Sequence, residues 1–277
     1  MYKDTLETLN GMALAKKKLL NESIVRYLIS ACLAGAYIGL AVVLSFSVGG
    51  MFSELSTPLA SLLVGLSFGV ALVLITFAGA ELFTGNNMIF TVSTLSGVTT
   101  RKEMITNWVW CYLGNFMGAT LFCILIFFSG VFSSISSDHF LMTVASNKMS
   151  LSTSELFFRG ILCNWLVCLA IWCTLRTKND AAKIMMILWI LLTFIVSGYE
   201  HSIANMAILG LALIHPSPDT VTLAGYFGNI VPVTLGNIVG GTFFVGCLYW
   251  IISPHRVKEE KMEKAVLVRK SVASINR

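Results

Sequence analysis

Two apolar stretches, residues 58–96 and 184–214, constrain this chain more than anything else in it. A helix crosses a hydrocarbon core of about 30 Å with about 20 apolar residues. Both stretches overshoot that length, and each carries charge near its middle: Glu81 in the first, Glu200 and His201 in the second. A carboxylate or imidazole at that depth is expensive and by default marks a substrate or ion path. An oversized apolar run with a charged middle therefore reads as a helix broken inside the membrane. Such a break is tolerated only where protein or a water-filled cavity takes up the freed backbone groups.

The remaining sequence points to an integral membrane protein. Charged residues are 12% of the 277 and hydrophobic ones 56%. Soluble domains carry about 25% charged residues, so this chain lacks the polar surface for an aqueous fold. Further apolar segments at 27–48, 104–130, 156–175 and 226–252 bring the count of spans to six. They form a predicted channel domain over 27–253. Before it, Leu6, Leu9, Ala13 and Leu20 sit at helical spacing among lysines, which predicts an interfacial amphipathic helix within 1–26. After it comes a mixed-charge tail, 254–277. The N-terminal stretch is too charged for a cleaved signal peptide.

Charge sets the expected orientation. With the N-terminus inside, the inner segments hold Lys3, Lys16, Lys17, Lys18, Arg26, Arg101, Lys102, Arg176, Lys178, Lys183 and the basic tail, while the outer loops keep Lys148, with Arg159 just inside the fourth span. The positive-inside rule then places both termini in the cytoplasm, in the inner cell membrane. The seven cysteines all lie in apolar stretches without a CxxC pair or metal-ligand spacing; they read as small packing residues. No metal, cofactor or nucleic acid is expected.

The third and sixth segments repeat each other. Asn107, Leu113, Gly114, Asn115, Gly118 and Thr120 recur at fixed spacing as Asn229, Leu235, Gly236, Asn237, Gly240 and Thr242. Upstream, Gly79-Ala80-Glu81 and Asn87-Met88 echo Gly198-Tyr199-Glu200 and Asn205-Met206. Three spans per repeat, over about 27–130 and 155–253, force the second repeat to enter the membrane inverted. Inverted repeats with broken helices at matching places are a transport architecture, with the site near the midplane. The expected fold is thus all-α, six spans in two inverted three-helix repeats, with the second and fifth spans broken. Glycines four apart, such as Gly114/Gly118 and Gly236/Gly240, predict close helix crossings.

Four polar residues, Glu81 with Asn87 and Glu200 with Asn205, read first as caps for the freed backbone groups of the two breaks. Thr84 and His201, one per break, read as a pseudo-symmetric pair of hydrogen-bond donors at the centre of one channel. That suits a small monovalent anion or its weak acid. Phe68, Leu72, Leu82, Phe83, Val167 and Phe194 are candidates for apolar constrictions on either side, although each serves equally as a packing or lipid-facing residue. Lys148, in the loop 131–155, reads as a solvated lysine or as one that draws anions.

The segments Ala80-Glu81-Leu82-Phe83-Thr84-Gly85-Asn86 and Gly198-Tyr199-Glu200-His201-Ser202-Ile203-Ala204-Asn205-Met206 resemble the two signatures of the formate/nitrite transporter family, and within it the hydrosulfide channel branch, which also matches at Leu82, Thr84 and Lys148. The resemblance implies an aquaporin-like fold of six spans, a homopentamer with one pore per protomer, and passage of small monovalent anions, with hydrosulfide or formate expected first and nitrite after them. It implies that His201 and Thr84 are the central polar residues, that Asn164 in Cys163-Asn164-Trp165 is a pore asparagine, and that Lys148 is a vestibule lysine. Phe68, Val167 and Phe194 then form an outer slit and Leu72, Leu82 and Phe83 an inner one.

Stripping water from a full charge costs several kcal/mol even after relaxation, and two neutral hydrogen bonds at about 1 kcal/mol each do not cover that. Proton sharing between His201 and the anion is therefore expected. The rival is a neutral-solute channel of aquaporin or urea type, whose Asn-Pro-Ala-like turns are absent here. An ammonium conductor would call for aromatic recognition of a cation and usually more spans, and a membrane enzyme built on Glu200 and His201 fits less well, since adjacent residues on a helix do not face each other.

Overall fold

The computed structural model describes residues 2–53 and 59–253, which form helices and the turns between them. The tail expected over 254–277 lies outside those residues, as does the very start of the stretch 58–96.

Among the described residues, five helical runs are long and apolar enough to cross a membrane: Ile24–Phe52, Ser61–Gly79, Arg101–Ser129, Thr153–Thr174 and Leu223–Ile251. They comprise α2 (Ile24–Ser53); α3 (Leu59–Phe68) and α4 (Val70–Leu74) with a π turn over Ile75–Gly79; α6 (Arg101–Ser129); α8 (Thr153–Thr174); and α11 (Leu223–Val239) with a π segment over Gly240–Cys247 and α12 (Leu248–Ile251). The chain is an all-α, multi-span membrane protein. The stretch read as a broken fifth span is divided into α9 (Asp180–Val196) and α10 (Ser202–Ile214), of 17 and 13 residues. The helical run Ser61–Gly79 is likewise followed by an extended turn and then α5 (Phe83–Leu95), 13 residues long.

Both breaks are made the same way. Gly79 and Gly198 stop the preceding helix in the left-handed region, at φ 80° and 69°, where a Cβ costs about 1–2 kcal/mol. Two residues later comes a glutamate, and the chain runs extended through Leu82 (φ −104°, ψ 124°) and His201 (φ −110°, ψ 116°) before α5 and α10 begin.

Two close crossings hold the bundle: α2 against α6, and α8 against α11. A Cβ on Gly118 would drive into the Cys32 carbonyl, and one on Gly240 into the Ile161 carbonyl. The glycine spacing predicts this backbone-to-backbone approach.

Outside the spans, α1 (Lys3–Glu22) buries Leu6, Leu9, Ala13 and Leu20, the predicted stripe, and packs on α5 and α2. The stretch 131–155, read as loop, instead contains α7 (Phe140–Ser150). Its buried face is Leu141, Met142 and Ala145, too short a pattern to register as a periodic signal. His139 caps it, with Nδ1 accepting from Leu141 N at 3.2 Å.

Candidate permeation site

The start of α5 and the start of α10 meet in the interior, and each is held by an asparagine from a neighbouring helix. Phe83 N donates to Asn115 Oδ1 at 2.9 Å and Ser202 N to Asn237 Oδ1 at 2.8 Å. The Asn115 amide nitrogen donates to Glu81 O and Ala31 O at 2.8 and 2.9 Å; that of Asn237 donates to Glu200 O and Gly160 O at 3.0 and 2.8 Å. The glutamate backbones close the pattern: Glu81 N donates to Ser30 O, and Glu200 N to Arg159 O. Asn115 and Asn237 stand out in sequence as repeat partners; their stapling of the breaks is visible once the helices are placed.

The glutamate carboxylates do not cap those amides. Glu81 takes Lys16 Nζ at 2.7 Å, and Glu200 takes Lys148 Nζ at 2.8 Å. Side-chain exposure is 12% and 11% in the first pair, 16% and 3% in the second. A buried carboxylate needs a compensating charge more than an amide needs a charged cap. Lys148 is thus neither a loop residue nor unpaired: it sits in the last turn of α7. In the first break Asn86, rather than Asn87, donates to the carboxylate, at 3.0 Å, as Asn205 does in the second at 2.5 Å. Asn86 and Asn205 also donate to Asn107 and Asn229, at 3.0 and 2.8 Å. Asn87 points elsewhere, accepting from Asn164 at 3.2 Å; one residue on a helix turns a side chain by about 100°.

With Glu81 matched to Glu200, the counterpart of His201 is Leu82 and that of Thr84 is Ile203. Thr84 and His201 are therefore not equivalents. They touch across the two breaks instead, Thr84 Oγ1 lying 3.1 Å from His201 Nε2. His201 Nδ1 accepts from Ala204 N at 3.1 Å, capping α10. A nitrogen that accepts carries no proton, so the bonds assign the Nε2–H tautomer, donating to Thr84. The Thr84 hydroxyl hydrogen is left for another acceptor. Both helix starts present the positive ends of their dipoles here.

The constriction residues gather round His201. A cavity of about 20 Å³ is lined by Phe68, Leu72, Leu82, Val167, Phe194 and His201, among others. That is room for about one water molecule. A wider cavity of about 300 Å³ opens from the same region toward α7, lined by Phe68, Phe194, Lys148, Arg159, Glu200 and His201 among others. Phe83 lines neither of these cavities; its ring packs edge-on against Tyr112 at 4.9 Å. Asn164 lines neither as well. It is fully buried, and its amide nitrogen lies 3.2 Å from Thr84 O and 2.6 Å from Asn237 O, at the junction of the two breaks.

A family model described as "Formate/nitrite transporter" matches residues 5–251. The chain belongs to the formate/nitrite transporter family. This is a family of membrane transporters rather than enzymes. Among its relatives, the nitrite transporter NirC of Salmonella typhimurium is 36% identical over 276 residues, the whole of both chains. An uncharacterized transporter of Bacillus subtilis, YwcJ, is 38% identical over 92% of this chain and 99% of its own. A solved structure titled "FNT family ion channel" superposes with a TM-score of 0.86 at 37% identity, covering 91% of this chain and all of that one. A "Pentameric formate channel with formate bound" gives 0.71 at 29% identity, over 83% and 98%.

Proposed function

We propose that this chain is a passive pathway for small monovalent weak-acid anions, formate and nitrite first, with hydrosulfide in the same size class. The observation that carries it is the cavity of about 20 Å³ in which His201 stands among apolar walls. A hydrated ion is far too large for that space, so a solute passes there only after shedding its water. Two helix starts and the Thr84–His201 pair favour a solute with acceptor oxygens or sulfur over a cation. The names of the relatives, a nitrite transporter and a formate-bound channel, point the same way.

The His201 tautomer alters the expected proton path. For the ring to give up its Nε2 proton without becoming an imidazolate, Nδ1 must first gain one, and that breaks the Ala204 cap. A solute that takes its proton in the α7-side cavity (anion plus proton giving the neutral acid) avoids both that loss and the desolvation of a full charge. In this reading His201 and Thr84 hold the acid by hydrogen bonds, and Phe68, Val167 and Phe194 on one side and Leu72 and Leu82 on the other exclude water. Asn164 acts from behind, through the Thr84 carbonyl.

The matched hydrogen bonds of the two breaks support two inverted repeats, each preceded by a helix (α1 or α7) that supplies the lysine. The positive-inside rule puts α1 in the cytoplasm and α7 outside. By likeness to the pentameric formate channel, we take the working assembly to be a homopentamer. Proteoliposome flux of formate, nitrite, hydrosulfide, urea and water compared side by side tests the function: the three anions pass well above protein-free vesicles. Fast water or urea flux without anion flux would instead establish the neutral-solute channel.

A further inference from the structure

The two halves share the asparagine staples, the glutamate backbone bonds and the lysine–glutamate pairs, which makes their differences informative. The backbone carbonyl that receives Glu81 N belongs to Ser30; the one that receives Glu200 N belongs to Arg159. At the same structural place, one half carries a hydroxyl and the other a guanidinium. Arg159 lines the same cavity of about 300 Å³ as His201.

Lys148 also lines this cavity, but its charge is neutralised at 2.8 Å by Glu200, in a pair that recurs in the other half as Lys16–Glu81. A buried lysine held by a carboxylate offers little field to an incoming anion. Arg159 is different. Its carboxylate neighbour, Glu155, is 3.7 Å away, with side chains 37% and 50% exposed, a pairing of the sort worth little in water. Glu155 is itself held by Ser152, accepting from both its backbone nitrogen and its hydroxyl at 3.0 and 2.8 Å. Nη1 of Arg159 makes a long bond to Gly198 O, at 3.4 Å. A guanidinium has five donors, and these two weak contacts leave its charge largely uncompensated. Lys148, Glu200 and Arg159 together leave one net positive charge there, and Arg159 supplies it.

We propose that Arg159 is the residue that concentrates anions in the α7-side cavity, and so sets the half-saturating concentration for transport. This rests on the anion-pathway reading above. A single charge near a low-dielectric mouth raises local anion concentration and capture rate, by about fivefold for a group roughly 8 Å from the anion at intermediate dielectric. Salt weakens the effect, since the Debye length at physiological ionic strength is about 8 Å.

The test is formate flux in proteoliposomes against concentration and ionic strength, for wild type, Arg159→Gln, Arg159→Lys and Arg159→Ser. Gln keeps a donor for Gly198 and removes the charge; Ser installs the residue of the matching place. For both, half-saturation rises about fivefold at low salt, the maximal rate stays within about twofold, and the ionic-strength dependence flattens. Lys behaves as wild type. If Gln and Ser leave half-saturation and salt dependence unchanged, or lower the maximal rate alone, the inference is overturned. Absence of formate flux in wild type would instead overturn the anion pathway itself.

Discussion

At the scale of residues, the chemistry turns on one ring nitrogen. His201 Nδ1 is occupied by Ala204 N, and in the function proposed above His201 serves as a fixed donor through Nε2 rather than as a proton carrier. Replacing it by Asn, which donates but takes no proton, should lower formate flux about tenfold through a poorer hydrogen bond and leave the shape of its pH dependence intact. A flattened pH profile would show instead that the ring relays protons. The glutamates make the opposite point. Both were visible in sequence as anomalies, yet their partners were not, because Lys16 and Lys148 lie 65 and 52 residues away on separate helices. Lys148→Met leaves Glu200 buried without its counter-charge and should cost about 3 kcal/mol or more. The midpoint of thermal unfolding in detergent falls accordingly, and Lys148→Met with Glu200→Gln recovers much of the loss. A single mutant as stable as wild type would remove the pair from the structural core. Asn86 and Asn87 mark a finer limit: two adjacent asparagines fit the repeat equally well on paper, and only helix direction decides which faces the carboxylate.

At the scale of elements, the breaks were legible because they contradict their surroundings. A left-handed glycine, a carboxylate and a run of apolar residues cannot share one continuous helix, and Gly79-Ala80-Glu81 and Gly198-Tyr199-Glu200 state that conflict twice. The close crossings were legible through glycine spacing. Gly240→Ala sets a Cβ against the Ile161 carbonyl, so α8 and α11 must part and the protein should lose about 1–3 kcal/mol. Gly228→Ala on the same helix meets nothing within 4 Å and should be neutral or slightly stabilising. Thermal unfolding of the two variants side by side reads the contrast; equal midpoints would mean that the crossing has slack. Helix α7 was not legible. It is 11 residues long, and it is held by burial of Leu141, Met142 and Ala145 and by the ion pair from Lys148 to Glu200, contacts that local sequence does not reveal.

At the scale of the whole molecule, two half-length helices starting at the same buried point give this protein its character. Membrane spans, their apolar faces and the two charged breaks follow from composition and length. The narrowness of the passage does not, since Phe68, Leu72, Leu82, Val167 and Phe194 come from five separate elements or turns and look like ordinary packing residues until they surround one small cavity. That narrowness makes passage of a neutral acid the central claim. The most direct measurement is formate entry into proteoliposomes carrying an internal pH indicator, with and without a potassium diffusion potential. Formate entry above the rate of protein-free vesicles should acidify the interior by one proton per anion and should ignore the imposed voltage. Entry driven by an inside-positive potential, with no acidification, would contradict it.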